Sequence, residues 1–169
     1  MEKSRPRARL VIFFYIAVVK SLSSAFQRNL GFEDMDSQLF ENVVPRLIVI
    51  GAKAAIDFYR AVFDAEILGE YSDDNGTIVN AVLRIGTSTI SVAEQVIAWQ
   101  WMSPAEIGGS PVLLTLTVAD PDDISTRMIR AGSEIVVPIK DRPYGKREGR
   151  VRDPFGHLWI LSCPSRESR

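Results

Sequence analysis

The stretch Asp153-Pro-Phe-Gly-His-Leu-Trp159 decides how the second half of the chain is interpreted. Its proline and glycine are placed for a tight turn. Residues Gly149 to Arg152 before it and His157 to Cys163 after it predict two strands joined by that turn.

Working outward, the segment before this hairpin predicts a strand, a helix and another strand. Asp120-Pro121 is typical of a helix start, with an N-cap residue followed by proline, and Gly132 is typical of a helix end. Strands are predicted over Pro111 to Val118 and Glu134 to Ile139, and Lys140 to Glu148 is predicted to be a polar loop. The order of elements is βαβββ.

The first half of the chain repeats this order. Ile56 aligns with Ile124 and Ile67 with Ile135, a constant offset of 68 residues that also brings Arg84 onto Arg152. Apolar residues at helical spacing predict a helix over Ala52 to Asp64. Strands are predicted over residues 46–50, 66–71, 77–85 and 89–94. The sequence therefore predicts two tandem βαβββ modules.

The repeat, the Arg84-Ile-Gly86 turn and the run Tyr144-Gly-Lys-Arg-Glu-Gly149 followed by 153–159 resemble the vicinal-oxygen-chelate superfamily. Within it, the chain is similar to the PhnB-like branch of glyoxalase/bleomycin-resistance proteins. The resemblance covers residues 43–163. It implies an α+β fold in which two modules form a cupped, partly open eight-stranded barrel around a ligand cavity, often within a homodimer.

Metal-dependent members of that superfamily place His, Glu or Gln on the first and last strands of each module. The first strands here carry Val43 to Leu47 and Val112 to Thr115, none of which ligates a metal well. On the last strands, Val92, Ile160 and Ser162 are no better, and Glu94 is a single carboxylate where three or four ligands are needed. We expect no metal and no other cofactor.

A cavity without metal must bind through aromatic surface and a few polar groups. Trp99 and Trp101, which would point the same way if their segment were extended, are the most distinctive candidates. Phe155 and Trp159 have an equally plausible role as ordinary core. The expected ligand-binding residues are Trp99, Trp101, Tyr144, Phe155, Trp159, Arg46 and Thr115.

Three functions remain open from the sequence. The first is metal-independent binding of a small aromatic or drug-like molecule in the cup. The second is a lyase or isomerase that uses Glu94 as acid or base. The third is a structural dimer with a vestigial cavity. The single histidine, His157, is interpreted as structural because it belongs to the turn motif, and the single cysteine, Cys163, as an inert thiol that excludes an internal disulfide.

Composition limits the partners. With 46% apolar and 24% charged residues, a net charge of -1 and a pI near 5.9, the chain lacks the basic surface that nucleic-acid binding requires. We expect a small-molecule ligand and a second copy of the chain as partners, no nucleic acid and no membrane.

The first 34 residues differ from the rest, with six Lys or Arg against three Asp or Glu. They are expected to form an extension that the domain does not need for folding: an extra helix, upstream sequence before Met35, or a signal peptide with the apolar run 10–19. The expected organisation is an extension (1–34), a domain (35–163) with modules at 43–95 and 111–163 around a linker (96–110), and a tail (164–169). We expect a cytoplasmic protein, or an exported one if residues 1–25 are a signal.

Overall fold

The computed structural model describes residues 42–165, so the basic extension and the apolar run 10–19 lie outside the described residues. Module one comprises β1 (Arg46–Val49), α1 (Ala52–Phe63), β2 (Glu66–Ser72), β3 (Ile78–Ile85) and β4 (Ser88–Glu94). A 3₁₀ turn (Ile97–Trp99) and the short helix α2 (Pro104–Ile107) follow. Module two comprises β5 (Leu113–Thr117), α3 (Pro121–Arg130), β6 (Glu134–Arg142), β7 (Lys146–Arg152) and β8 (Leu158–Pro164).

Each module forms its own mixed four-stranded sheet, in the orders β1-β4-β3-β2 and β5-β8-β7-β6. In both sheets the first strand pairs in parallel with the last, and the other neighbours are antiparallel. The α+β class and the two tandem βαβββ modules are confirmed. Within residues 42–165 the two sheets are separate and are not closed into one barrel.

The helices begin and end where the local chemistry predicts. The Asp120 side chain accepts the backbone N–H groups of Asp122 and Asp123 at the start of α3, and Pro121 follows it. Gly132 adopts φ 97° just beyond the end of that helix. In α1, Ile56, Tyr59 and Val62 are almost fully buried on one face, so this face packs against its sheet.

The internal repeat is visible in the strand register. Arg84 on β3 lies opposite Glu66 on β2, and Arg152 on β7 lies opposite Glu134 on β6. Both pairs form cross-strand ion pairs. The equivalent pairs are 68 residues apart, so the sequence offset marks equivalent structural positions.

The prediction of a polar loop over Lys140 to Glu148 is wrong, because β6 and β7 continue as a hairpin through most of it. Lys140 lies opposite Glu148 and Asp141 opposite Arg147. Opposite charges facing each other across strands stabilise a ladder that hydrophobic alternation cannot reveal. The turn contracts to residues 143–145.

The modules are joined at one side by the buried carboxylate of Asp153, which is 3% exposed and lies in the β7–β8 turn. One oxygen accepts the Tyr59 hydroxyl at 2.7 Å and the Trp159 indole N–H at 2.9 Å. The other accepts the backbone N–H groups of Phe155 and His157 at 3.0 and 2.9 Å. Because Tyr59 belongs to α1, this carboxylate ties module two to module one.

Aromatic rings surround that carboxylate. Tyr59 and Trp159 have ring centroids 5.7 Å apart, Phe63 and Trp159 4.8 Å, and Phe58 and Phe155 5.8 Å. Burial and the neighbouring Asp153 raise the pKa of Tyr59 well above its ordinary value, so its hydroxyl remains a donor.

We predict that Asp153→Ala lowers the free energy of unfolding by about 3 kcal/mol or more, because it leaves buried donors on Tyr59 and Trp159 without an acceptor. Urea unfolding at neutral pH measures the loss. Asp74→Ala, in the exposed β2–β3 turn, is the matched control and should stay within about 0.5 kcal/mol of the original chain. An equal effect of the two substitutions would contradict the role given to Asp153.

Candidate functional site

Each sheet has one face against the helices and one face turned away from them, which we call the helix-free face. Side chains alternate between the faces along a strand. On β1 the buried Leu47 and Val49 pack toward α1, so Arg46 and Ile48 belong to the helix-free face. The register then assigns Ser91 and Ala93 of β4, and Thr115 of β5 with Ile160 of β8, to the helix-free faces.

Arg46 is the centre of a polar cluster on the helix-free face of module one. Its Nε donates to Ser91 Oγ at 3.2 Å, and its Nη2 donates to Asn80 Oδ1 at 3.0 Å. The guanidinium carbon lies 5.2 Å from the ring centroid of Trp101, which is a cation–π contact. Side chains from β3, β4 and the linker therefore fix this arginine.

Trp99 and Trp101 are brought together, although their segment is not extended. The 3₁₀ turn Ile97–Trp99 and the left-handed Gln100, φ 60°, fold the linker back on itself. The two indole rings meet edge to face with centroids 5.2 Å apart. Trp99 remains 42% exposed, so the Trp99/Trp101 pair, with Arg46 beneath Trp101, offers aromatic surface to solvent.

Glu94 lies elsewhere, on the helix side of β4. Its two carboxylate oxygens accept the backbone N–H groups of Gly51 at 2.9 Å and Ala52 at 2.7 Å. The carboxylate thus caps the start of α1, where free N–H groups and the helix dipole favour a negative charge. This arrangement gives Glu94 a structural task and directs it away from the helix-free face.

The remaining expected ligand residues do not gather around Arg46. Trp159 is 3% exposed and Phe155 is partly buried, and both pack against α1 in the core. Tyr144 is 65% exposed on the β6–β7 turn. Thr115 is exposed on β5, in the other module. Only Arg46, Trp99 and Trp101 of the expected set form a cluster.

The helix-free face of module two carries a carboxylate that the sequence analysis did not select. Glu148 on β7 accepts the Tyr144 hydroxyl at 2.7 Å and the Ser162 hydroxyl at 3.2 Å. The hydrogen bond to Glu148 raises the pKa of Tyr144. Because the charged run 140–148 is typical of a loop, the position of Glu148 on a strand face cannot be inferred from the sequence.

A metal does not fit the positions that metal-dependent relatives would use. The helix-free faces of the first and last strands present Arg46, Ile48, Thr89, Ser91, Ala93, Leu113, Thr115, Thr117, Leu158, Ile160 and Ser162. None of these is His, Cys, Asp or Glu, the side chains that usually hold transition metals. Between residues 42 and 165, no three such side chains lie together as a metal-binding group.

The model of the Glyoxalase/Bleomycin resistance protein/Dioxygenase superfamily matches residues 42–161. The chain belongs to this superfamily. Uncharacterised proteins from Mycobacterium tuberculosis and Mycobacterium bovis are 40% identical to it over 126 residues, or 73% of this chain and 74% and 83% of their own lengths.

Several solved structures are similar in fold to this chain. TioX from Micromonospora sp. ML1 is 29% identical, with a TM-score of 0.56 over 72% of this chain and 94% of TioX. A gene product from Arabidopsis thaliana is 25% identical, with a TM-score of 0.59 over 74% of this chain and 100% of its own. The fosfomycin resistance protein FosX from Listeria monocytogenes is 18% identical, with a TM-score of 0.60 over 78% and 99% of the two chains, and shows the fold alone.

None of the helices formed by the described residues has the length and apolar character needed to cross a membrane.

His157 is held as a structural residue. Its ring Nε2 donates to the Ile48 carbonyl oxygen at 3.1 Å, which links the β7–β8 turn to the free edge of β1. Burial lowers its pKa from the ordinary 6.5, against the opposing effect of Asp153. The ring is therefore neutral at neutral pH, with the proton on Nε2.

We predict a pH dependence of stability that originates at His157. With a lowered pKa in the folded state, the unfolded chain takes up the proton first. The contribution of His157 to the free energy of unfolding is therefore complete above pH 6.5 and is lost as the pH falls below it. Urea unfolding between about pH 7.5 and about 5.5, above the range in which most carboxylates titrate, measures the slope. His157→Gln should flatten it, and an unchanged slope would contradict this assignment.

Proposed function

We propose that this chain is a metal-independent binding protein of the glyoxalase/bleomycin-resistance type. Its ligand is a small aromatic or drug-like molecule, and its place in the PhnB-like branch is part of the proposal. The observation that carries it is the cluster of Trp99, Trp101 and Arg46 on a sheet face whose described residues include no metal-binding group.

The cluster has the composition of a small-molecule site. Rigid aromatic rings supply contact area at a low cost in conformational entropy, and a few fixed polar groups orient the ligand. Arg46 is held by Ser91 and Asn80, so its guanidinium is positioned before a ligand arrives. A planar ring could stack on the partly exposed Trp99 beside that guanidinium.

An enzyme that uses Glu94 is the weaker candidate. Both oxygens of this carboxylate are engaged by backbone N–H groups at the start of α1. A general base must reach the substrate proton directly or through one water. Releasing Glu94 for that task would uncap the helix, so the geometry favours binding over acid–base chemistry.

A homodimer is part of the proposal. Several apolar side chains near the two edge strands of module two are 40% exposed or more: Val112 and Leu113 at β5, and Ile135 and Val136 on β6. Exposed apolar surface of this kind is commonly covered by a second subunit.

We predict that Trp99→Ala or Trp101→Ala weakens binding of a planar aromatic probe such as 2-naphthol by about 1 to 3 kcal/mol, the scale of a lost aromatic contact. Isothermal titration calorimetry with the full chain measures the affinity. Ile129→Ala, which removes a partly exposed apolar side chain from α3 of module two, is the matched control and should leave affinity unchanged.

The same variants separate the alternatives. If the two tryptophans pack on a partner subunit, their removal shifts the monomer–dimer equilibrium in light scattering and leaves affinity unchanged. If no planar aromatic probe binds the original chain, or if Ile129→Ala has the same effect as the tryptophan variants, the proposed site is wrong.

A further inference from the structure

The repeat creates two equivalent junctions between the modules, and only one of them is filled. At the filled junction, the β7–β8 turn of module two packs against β1 and α1 of module one. Asp153 accepts the Tyr59 hydroxyl, and His157 donates to the Ile48 carbonyl oxygen. Within module two, Pro154 also lies close to Gly132 at the end of α3, where a β-carbon on the glycine would meet the proline ring at 3.7 Å.

At the second junction, the β3–β4 turn of module one faces β5 and α3 of module two. An open crevice of about 790 Å³ occupies this position. Its walls come from both modules: Phe63 and Asp64 at the end of α1, residues 85–88 of the turn, residues 115–120 along β5, and Asp123, Ile124 and Arg127 of α3.

The sequence explains why the second junction stays open. The 68-residue offset places Ile85 where module two has Asp153, Gly86 where it has Pro154, and Arg127 where module one has Tyr59. The turn that joins Arg84 to its partner Thr89 is also one residue shorter than the turn that joins Arg152 to Leu158. The shorter turn, with Gly86 in place of Pro154, therefore leaves space beside β5.

The crevice has a definite chemical character. Phe63, Ile85, Leu116 and Ile124 provide an apolar floor, and the exposed Thr87, Ser88, Thr115 and Thr117 provide hydroxyl groups. Among the described residues β5 pairs only with β8, so backbone groups on its other edge also face this space. The volume lies within the usual range of small-molecule sites, roughly 300 to 1,000 Å³.

Its charge is acidic. Asp64, Asp120 and Asp123 line it together with Arg127, the one cation among the described lining residues. Arg127 is already engaged by both Asp64, at 3.2 Å, and Asp123, at 3.4 Å. The Asp64 side chain is nevertheless 79% exposed, so its carboxylate can accept further donors from a ligand.

We propose that this crevice is a second ligand site, distinct from the Trp99/Trp101 cluster, for a small organic cation that joins an apolar ring to a primary ammonium group. The ring would occupy the floor formed by Phe63, Leu116 and Ile124. The ammonium group would donate to Asp64 and to the hydroxyls around it. The unfilled junction and its acidic rim together select this class of ligand.

Three probes with the same ring test the proposal: phenethylammonium, 2-phenylethanol and phenylacetate. They are titrated into the full chain, and backbone amide shifts are followed by two-dimensional NMR. Phenethylammonium should give saturable shifts at residues 85–88 and 115–119, 2-phenylethanol should bind more weakly, and phenylacetate should not bind there. Saturable shifts confined to residues 96–102 would belong to the Trp99/Trp101 site and would overturn this proposal without affecting the first.

Two variants sharpen the test. Asp64→Asn, which keeps a residue type that tolerates the left-handed backbone at φ 54°, should weaken phenethylammonium binding about two- to fivefold, the scale of an exposed ion pair. Asp74→Asn, in the remote β2–β3 turn, is the matched control and should have no effect. Thr87→Trp should block the part of the crevice beside the β3–β4 turn and diminish the shifts. Equal binding of phenylacetate, or undiminished binding to Thr87→Trp, would overturn the proposal.

Discussion

The Asp153 carboxylate is the interaction on which the arrangement of the two modules depends. A buried charge is tolerated only when hydrogen bonds replace the water it has lost, and Asp153 receives four. Two of the donors close its own turn, one belongs to β8 and one to α1. The requirement to satisfy this charge therefore fixes the β7–β8 turn, β8 and α1 in one geometry.

The same interaction makes the molecule asymmetric. Two copies of one βαβββ unit could have formed two similar junctions, but only the second copy carries the Asp-Pro-Phe-Gly-His turn. One junction is sealed by aromatic rings and a satisfied carboxylate, and the other retains a crevice. The helix-free faces of the two modules also differ. In module one Trp101 covers Arg46, whereas in module two Thr115 and Thr117 are exposed.

Much of the fold could be predicted from the sequence because its signals are local. The Asp120 cap, the Gly132 stop and the 153–156 turn depend on residues a few positions apart. The β6–β7 hairpin could not be predicted, since its ladder is formed by charged residues that are typical of a loop. The arrangement of the candidate site was harder to predict from the sequence than the fold. The register that places Arg46 beside Ser91 joins residues 45 positions apart, and Glu94 acquires its task only when β4 meets the start of α1.

The central functional claim is that this member of the superfamily binds its ligand without a metal. Native mass spectrometry of the full chain, purified without chelators, tests it most directly because one spectrum reports metal, organic ligand and subunit number. A metal-independent binding protein should appear as a dimer whose mass equals two polypeptides, with or without an organic molecule, and with no metal increment. A stoichiometric increment of one transition-metal ion per chain, retained at neutral pH, would contradict it.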